Sequence, residues 1–294
     1  MNKTKQNDFP VAALLIGASI WGLLWYPYRL LEQARISGAI ATSVTYAIAL
    51  LLGLVIFRKS LHRSQVLGGE PHLLFWIGLF AGWTNLAYVL GVIHGEVMRV
   101  LLLFYLAPLW TIVFSRVLLN EILSLHGYLV IAFSLAGAIV MLWQPENGFS
   151  LPSSYGDWMG LSAGFMFAFS NVLSRKDQYH SVQVKSVAVW TGVALVAFGY
   201  SLFLVDLPVM SDISTETYLL LLGVGLIVFA LSLVVQYGLA HTPANQAIVI
   251  MLFELVVAAI AAYFLTDEAM TPREWIGGLM IISASLFSAT MNRE

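Results

Sequence analysis

Residues 99–121 read RVLLLFYLAPLWTIVFSRVLLNE. The stretch is mostly apolar and long enough to cross a bilayer, which takes about 20 such residues. Arg99 and Glu121 stand at its ends, and Tyr105 and Pro108 interrupt its middle. The same design returns at 248–268, IVIMLFELVVAAIAAYFLTDE, where Glu254 follows Phe253 as Tyr105 follows Phe104. Two matching helices, each with one polar residue at membrane depth, point to a pathway between two halves of one membrane protein.

Composition agrees. The chain has 294 residues, 60% hydrophobic and 10% charged, with a mean hydropathy of +0.85. Soluble domains carry about 25% charge, so this chain cannot clothe itself in water. A net charge of −2 offers no basic surface for nucleic acid. With no cysteine, disulfides, thiolate catalysis and Cys metal sites are excluded. The six histidines do not cluster with other ligands, so neither a metal nor a cofactor is expected. HExxH, P-loop and GxGxxG motifs are missing, and an enzyme is not expected. MNKTKQNDFP is a short basic start with no small-residue cleavage site after it, which predicts a first anchor helix rather than a removed signal peptide.

The pattern predicts an all-α membrane protein of ten transmembrane helices, at 11–30, 38–57, 73–93, 97–119, 124–143, 156–174, 184–205, 216–239, 244–266 and 272–290. Short connections hold most of the Gly, Pro and charge. The plainest, QPENGFSLPSSY at 144–155, divides the chain into halves at 1–145 and 156–294, with 146–155 as linker. With both termini cytoplasmic, ten Lys/Arg fall inside (Lys3, Lys5, Arg58, Lys59, Arg63, Arg116, Arg175, Lys176, Lys185, Arg293). Four fall outside: Arg29, Arg35, Arg99 and Arg273. The positive-inside rule therefore favours N-in, C-in.

The halves resemble each other. Tyr88…Phe104-Tyr105 and Tyr237…Phe253-Glu254 share one spacing, and Glu121 and Glu268 close the fourth helix of each half. Gly17-Ala-Ser-Ile-Trp-Gly in the first helix matches Gly160-Leu-Ser-Ala-Gly-Phe in the sixth. A repeat of five helices must insert upside down relative to its twin, and inverted repeats place a site near the midplane where they meet.

These features together resemble the EamA-type transporters of the drug/metabolite transporter superfamily. Trp21-Gly22 looks like the family's WG start, and Phe104-Tyr105-Leu106-Ala107-Pro108 with Glu121 looks like its fourth-helix motif. Phe253-Glu254-Leu255, Asp267-Glu268 and Trp275-Ile276-Gly277 resemble its ninth-helix motif. Asp157-Trp158 to Ser174-Arg175-Lys176 is similar to the opening of its second repeat. The resemblance spans nearly the whole chain and implies two inverted five-helix repeats, alternating access and export of small metabolites from the cell through the inner membrane. It implies no single substrate. The proline the family carries after the ninth-helix Glu is replaced by Leu255-Val256-Val257, so that helix is expected to run straighter.

Glu254 is the first candidate. A carboxylate at membrane centre costs about 2.5–3.5 kcal/mol on insertion scales and must face a cavity, be paired or be protonated. It is read as a ligand for a substrate amine or as the acid that couples proton movement; the bland alternative is a protonated packing device. Arg99 forms an i, i+3 pair with Glu96 at a helix start, or turns inward to bind a substrate carboxylate. Pro108 has no N–H and frees the carbonyl of Phe104, which favours a kinked, cavity-lining helix beside Tyr105. Asn85, Tyr88, Asn171, Gln236 and Tyr237 are polar at depth. Each alone suits an interhelical hydrogen bond, and as a set they suggest a shared cavity. Trp21, Trp83 and Trp110 sit deep enough to line it. Ala258 and Ala262 share a face with Glu254, which would let the fourth and ninth helices approach.

The reading is a secondary transporter of small metabolites, such as amino acids or related amphiphiles, with a site built from Glu254, Tyr105, Asn85, Tyr88, Asn171, Tyr237, Trp21, Trp83 and Arg99. The alternatives are a non-transporting scaffold or sensor, and a nucleotide-sugar carrier of the same superfamily, which would want more basic residues than Arg99 alone.

Overall fold

The computed structural model describes residues 9–95, 97–143, 152–204, 214–265 and 272–287. These residues form helices α1 (Phe9–Gln33), α2 (Gly38–Ile56), a short α3 (Arg63–Val66), α4 (Pro71–His94), α5 (Val97–Phe104), α6 (Ala107–Leu118) and α7 (Leu125–Leu142). The second half forms α8 (Tyr155–Lys176), α9 (Val182–Leu204), α10 (Thr215–His241), α11 (Ala244–Met251), α12 (Phe253–Leu265) and α13 (Pro272–Phe287). Helix occupies each of the ten segments expected from the sequence, two of them as broken pairs: α5–α6 and α11–α12. Among the described residues, six helical stretches are long and apolar enough to cross a membrane, Ala244–Leu265 counting as one, and α6, α7 and α13 are shorter apolar helices.

Serines start several of these helices. Ser37, Ser124, Ser154 and Ser214 each accept a backbone N–H from the first turn that follows, which satisfies donors that the helix itself leaves free. At α8 the cap is reciprocal, because Asp157 returns a bond to the Ser154 N–H at 3.1 Å.

The two halves interlock by exchange. The first helix of each half lies against the third and fourth segments of the other: α1 against α10, α11 and α12, and α8 against α4, α5 and α6. Counterparts also pair with each other, α2 with α9 and α7 with α13. Glycines set how close these helices come. Gly160 and Gly164 let α8 approach the backbone of α5 so nearly that a methyl group at Gly164 would stand 2.3 Å from the Phe104 carbonyl oxygen. At the crossing of α4 and α9, a methyl on Gly192 would stand 1.9 Å from the carbonyl oxygen of Gly78. Small residues replace a hydrophobic driving force that lipid does not supply.

The small-residue face of α12 serves a different neighbour from the expected one. Gly22 of α1 packs on the Glu254 carbonyl oxygen and the Ala258 N–H, where a methyl would stand at 2.7 and 3.1 Å. At Ala258 this face therefore admits α1, which supplies the glycine, rather than the fourth segment. Gly164→Ala is expected to lower the melting temperature in detergent by about 2–10 °C, since overpacking against backbone costs about 1–3 kcal/mol. Gly199→Ala, with open space around it, should leave it unchanged.

Candidate functional site

The break between α5 and α6 follows from Pro108. Without an N–H at 108, the α-helical bond to Phe104 cannot form. The chain tightens instead: Tyr105 N–H still bonds Leu101 O at 2.9 Å, Leu106 N–H reaches Leu103 O at 3.3 Å, and Leu109 N–H reaches Leu106 O at 3.0 Å. The freed Phe104 carbonyl is directed at Gly164. The break turns Tyr105 inward, where it is buried beside Phe104, Ala87, Leu252 and Leu255.

The ninth segment breaks too, although it has no proline. Leu252 stands between α11 and α12 in a tightened turn, its N–H on Ile248 O at 3.3 Å and its own carbonyl accepting from Leu255 N–H at 3.1 Å. The loss of the proline, which led to the expectation of a straighter helix, does not prevent this break. The turn places Glu254 in the first turn of α12, where a carboxylate meets the positive end of the helix dipole.

Tyr105 and Glu254 occupy matching positions of the two halves, and their side chains lie near each other. The Tyr105 hydroxyl lies within electrostatic reach of the Glu254 carboxylate. Tyr88 of α4 lies within electrostatic reach of the same carboxylate. Its ring meets Phe104 edge-on at 5.3 Å, and Phe104 in turn packs on Phe167 of α8 at 5.3 Å. Trp83 packs against the same cluster and donates Nε1–H to Ser162 Oγ at 3.1 Å. Glu254 is half-buried, and among the described side chains it has no cationic partner. The result is one carboxylate, two phenols and a wall of aromatic rings drawn from both halves.

The other candidates lie apart from this contact. Asn85 ties α4 to α2, accepting from the Tyr46 hydroxyl at 2.8 Å and donating to Ala81 O at 2.9 Å. Tyr237 stacks on His241 at 4.5 Å in the last turn of α10. Trp21 packs against the core that α1 shares with α2, α9 and α10. Asn171 is buried, and its Nδ2 meets no acceptor among the described residues. The side chain of Arg99, like Glu96 and Glu268, lies outside what is described.

Sequence reasoning singled out Asn171 and Gln236 but missed Ser115, Ser174 and Asn245, which extend them into a polar layer nearer one end of the bundle. Ser174 of α8 donates to Gln236 of α10 at 2.7 Å, and Asn245 of α11 donates to Ser115 of α6 at 2.8 Å. Asn245-Gln246, a polar pair in the first turn of a helix that Pro243 introduces, was the available signal.

The comparisons with known proteins agree with this architecture. The EamA-like transporter family matches the chain twice, over residues 9–143 and 154–290, and the chain belongs to that family. An uncharacterized transporter of Archaeoglobus fulgidus is 25% identical over 222 residues, which cover 75% of this chain and 77% of that one. A crystal structure at 19% identity superposes with a TM-score of 0.76 over 96% of this chain and 95% of its own, a likeness of fold. The protein is thus a multi-pass membrane transporter of the drug/metabolite transporter superfamily.

Tyr105→Phe and Glu254→Gln should prove coupled. In a double-mutant cycle read by thermal stability, the pair is expected to show an interaction of about 0.5–3 kcal/mol; additive losses would mean that the hydroxyl and carboxylate do not meet in the membrane.

Proposed function

We propose that the protein is a secondary transporter that exports small amine-bearing metabolites, amino acids or related amphiphiles, by alternating access around the Tyr105–Glu254 contact. Family membership supports the transporter class. The observation that carries the finer reading is the half-buried Glu254 carboxylate, faced by a phenol from the opposite half and without a cation among the described side chains. An ammonium group would supply the missing positive charge, and the faces of Tyr88, Phe104 and Tyr105 suit a cation or an apolar substituent beside it. All ten helical segments cross the cytoplasmic membrane in this reading, the termini facing the cytoplasm by the Lys/Arg bias. The two halves rock about the midplane, and the contact between matching residues at their junction is made and broken. A proton competing with the amine for Glu254 provides the coupling. Asn85, Asn171, Tyr237, Trp21 and Trp83 line the approaches, and Arg99 meets a substrate carboxylate at the outer mouth.

The test is a thermal-shift and uptake series on purified and reconstituted protein, wild type beside Glu254→Gln. A ligand present at 100 times its Kd stabilises the folded state by about 2.7 kcal/mol. Amino acids are expected to raise the melting temperature of the wild type and to leave Glu254→Gln unmoved, while deaminated analogues move neither. Transport by Glu254→Gln with its pH dependence intact would remove both roles assigned to the carboxylate.

A further inference from the structure

At the end of the bundle where α6, α8 and α10 finish and α9 and α11 begin, an ion pair joins the two halves. Its carboxylate is positioned by a turn. Asn120 adopts φ +55°, a left-handed conformation that asparagine tolerates better than most residues. The chain folds back so that the Glu121 N–H reaches Ser115 O at 3.2 Å, and the Glu121 side chain then points across the junction. Its Oε2 accepts the Ala244 N–H at the start of α11 at 3.2 Å, and its Oε1 lies 3.8 Å from Arg175 Nε. Arg175, in the last turn of α8, also donates to the carbonyl of Ala240 near the end of α10, at 2.8 Å. Two side chains thus hold four helices: α6 of the first half, and α8, α10 and α11 of the second.

Beneath this pair lies the polar layer of Asn171, Ser174, Gln236, Thr242 and Asn245, each less than 10% exposed. The Ser174–Gln236 and Asn245–Ser115 bonds cross it. Asn171 Nδ2, Thr242 Oγ1 and Asn245 Oδ1 have no partner among the described residues. A permanently sealed junction between apolar helices gains nothing from such groups, and burying them unpaired is unfavourable. A passage that fills with water when the halves separate needs them. Phe167 of α8, one turn before Asn171, packs on all three of the larger cores.

We propose that Glu121 and Arg175 form a latch that closes this end of the molecule, and that the polar layer beneath it lines the passage the latch opens. The proposal rests on the transporter reading but not on the role given to Glu254. The amide and hydroxyl groups of the layer let a polar solute pass by hydrogen bonding, without a charged site of their own. The latch holds loosely, as a contact broken in every cycle must. Both side chains are roughly a quarter exposed, and burial pushes the Glu121 carboxyl above its ordinary value despite the Arg175 charge and the Ala244 N–H, which pull it down.

Because the chain has no cysteine, one introduced thiol reports on the passage. Thr242→Cys is nearly isosteric, sits between the two backbone groups that the latch holds, and is 2% exposed. Ala197→Cys, 0% exposed in a separate cluster among α2, α4 and α9, reports general loosening. Maleimide labelling of each is followed in reconstituted protein carrying Glu121→Ala or Arg175→Ala. The expected result is about tenfold or faster labelling at Thr242→Cys with either latch variant, since labelling tracks the open population, and no change at Ala197→Cys. Unchanged labelling at Thr242→Cys would overturn the latch, as would equal acceleration at both thiols, which would mark simple destabilisation. Neither result bears on whether amines bind at Glu254, so the two readings fail separately.

Discussion

Pro108 cannot donate a backbone hydrogen bond, and in a solvent without water the carbonyl it abandons must find another setting. The Phe104 carbonyl is met by α8 at a glycine, where backbone approaches backbone. Much follows from that contact. It fixes how deeply the first helix of the second half sits in the first half, it turns Tyr105 inward, and it brings the aromatic rings of α4, α5 and α8 together around Phe104. A side chain at Gly164 would push these elements apart at the point where they are joined.

The arrangement repeats with different chemistry in the second half. Gly22 of α1 lies against the backbone of α12 as Gly164 lies against that of α5. Exchange of first helices makes each half incomplete alone. It also brings counterparts face to face, α2 with α9, α7 with α13 and Tyr105 with Glu254, as a two-fold relation does for residues near its axis. Matching positions hold a phenol in one half and a carboxylate in the other, so a donor faces an acceptor. Two carboxylates there would repel, and two phenols would offer no charge. Divergence between the halves at this one position turns a symmetric junction into a polar site.

The junction is polar in a second, different way nearer the end held by Glu121 and Arg175. There a charge pair, a helix start and a helix end converge through a left-handed turn at Asn120. Around Gly91, Gly95 and Gly156, by contrast, α4 and α8 meet through backbone close to glycine. Glycine contacts are strong only while the fit is perfect, whereas a solvated charge pair is held by little and is readily exchanged for water. The two kinds of contact suit parts that stay packed and parts that separate.

Much of this was legible in the residues themselves. Composition alone excluded a soluble fold, because 10% charge cannot solvate the surface of a chain this long. Runs of apolar residues located the helices, the common spacing of Tyr88–Tyr105 and Tyr237–Glu254 exposed the repeat, and Pro108 announced the first break, since a missing N–H is a property of one residue. What the sequence could not say was which faces meet. The alanine face of α12 received α1, Asn85 turned to Tyr46 of α2, and α11 and α12 parted at Leu252 with no proline to mark the place. Glu121 and Arg175, 54 positions apart by their numbers, joined at one end of the bundle. Helix formation in a bilayer is decided locally, by the need of each backbone group for a partner a turn away. Pairing is decided by fit between surfaces far apart in the chain, where the position of one glycine selects a neighbour, and only the folded arrangement supplies that information.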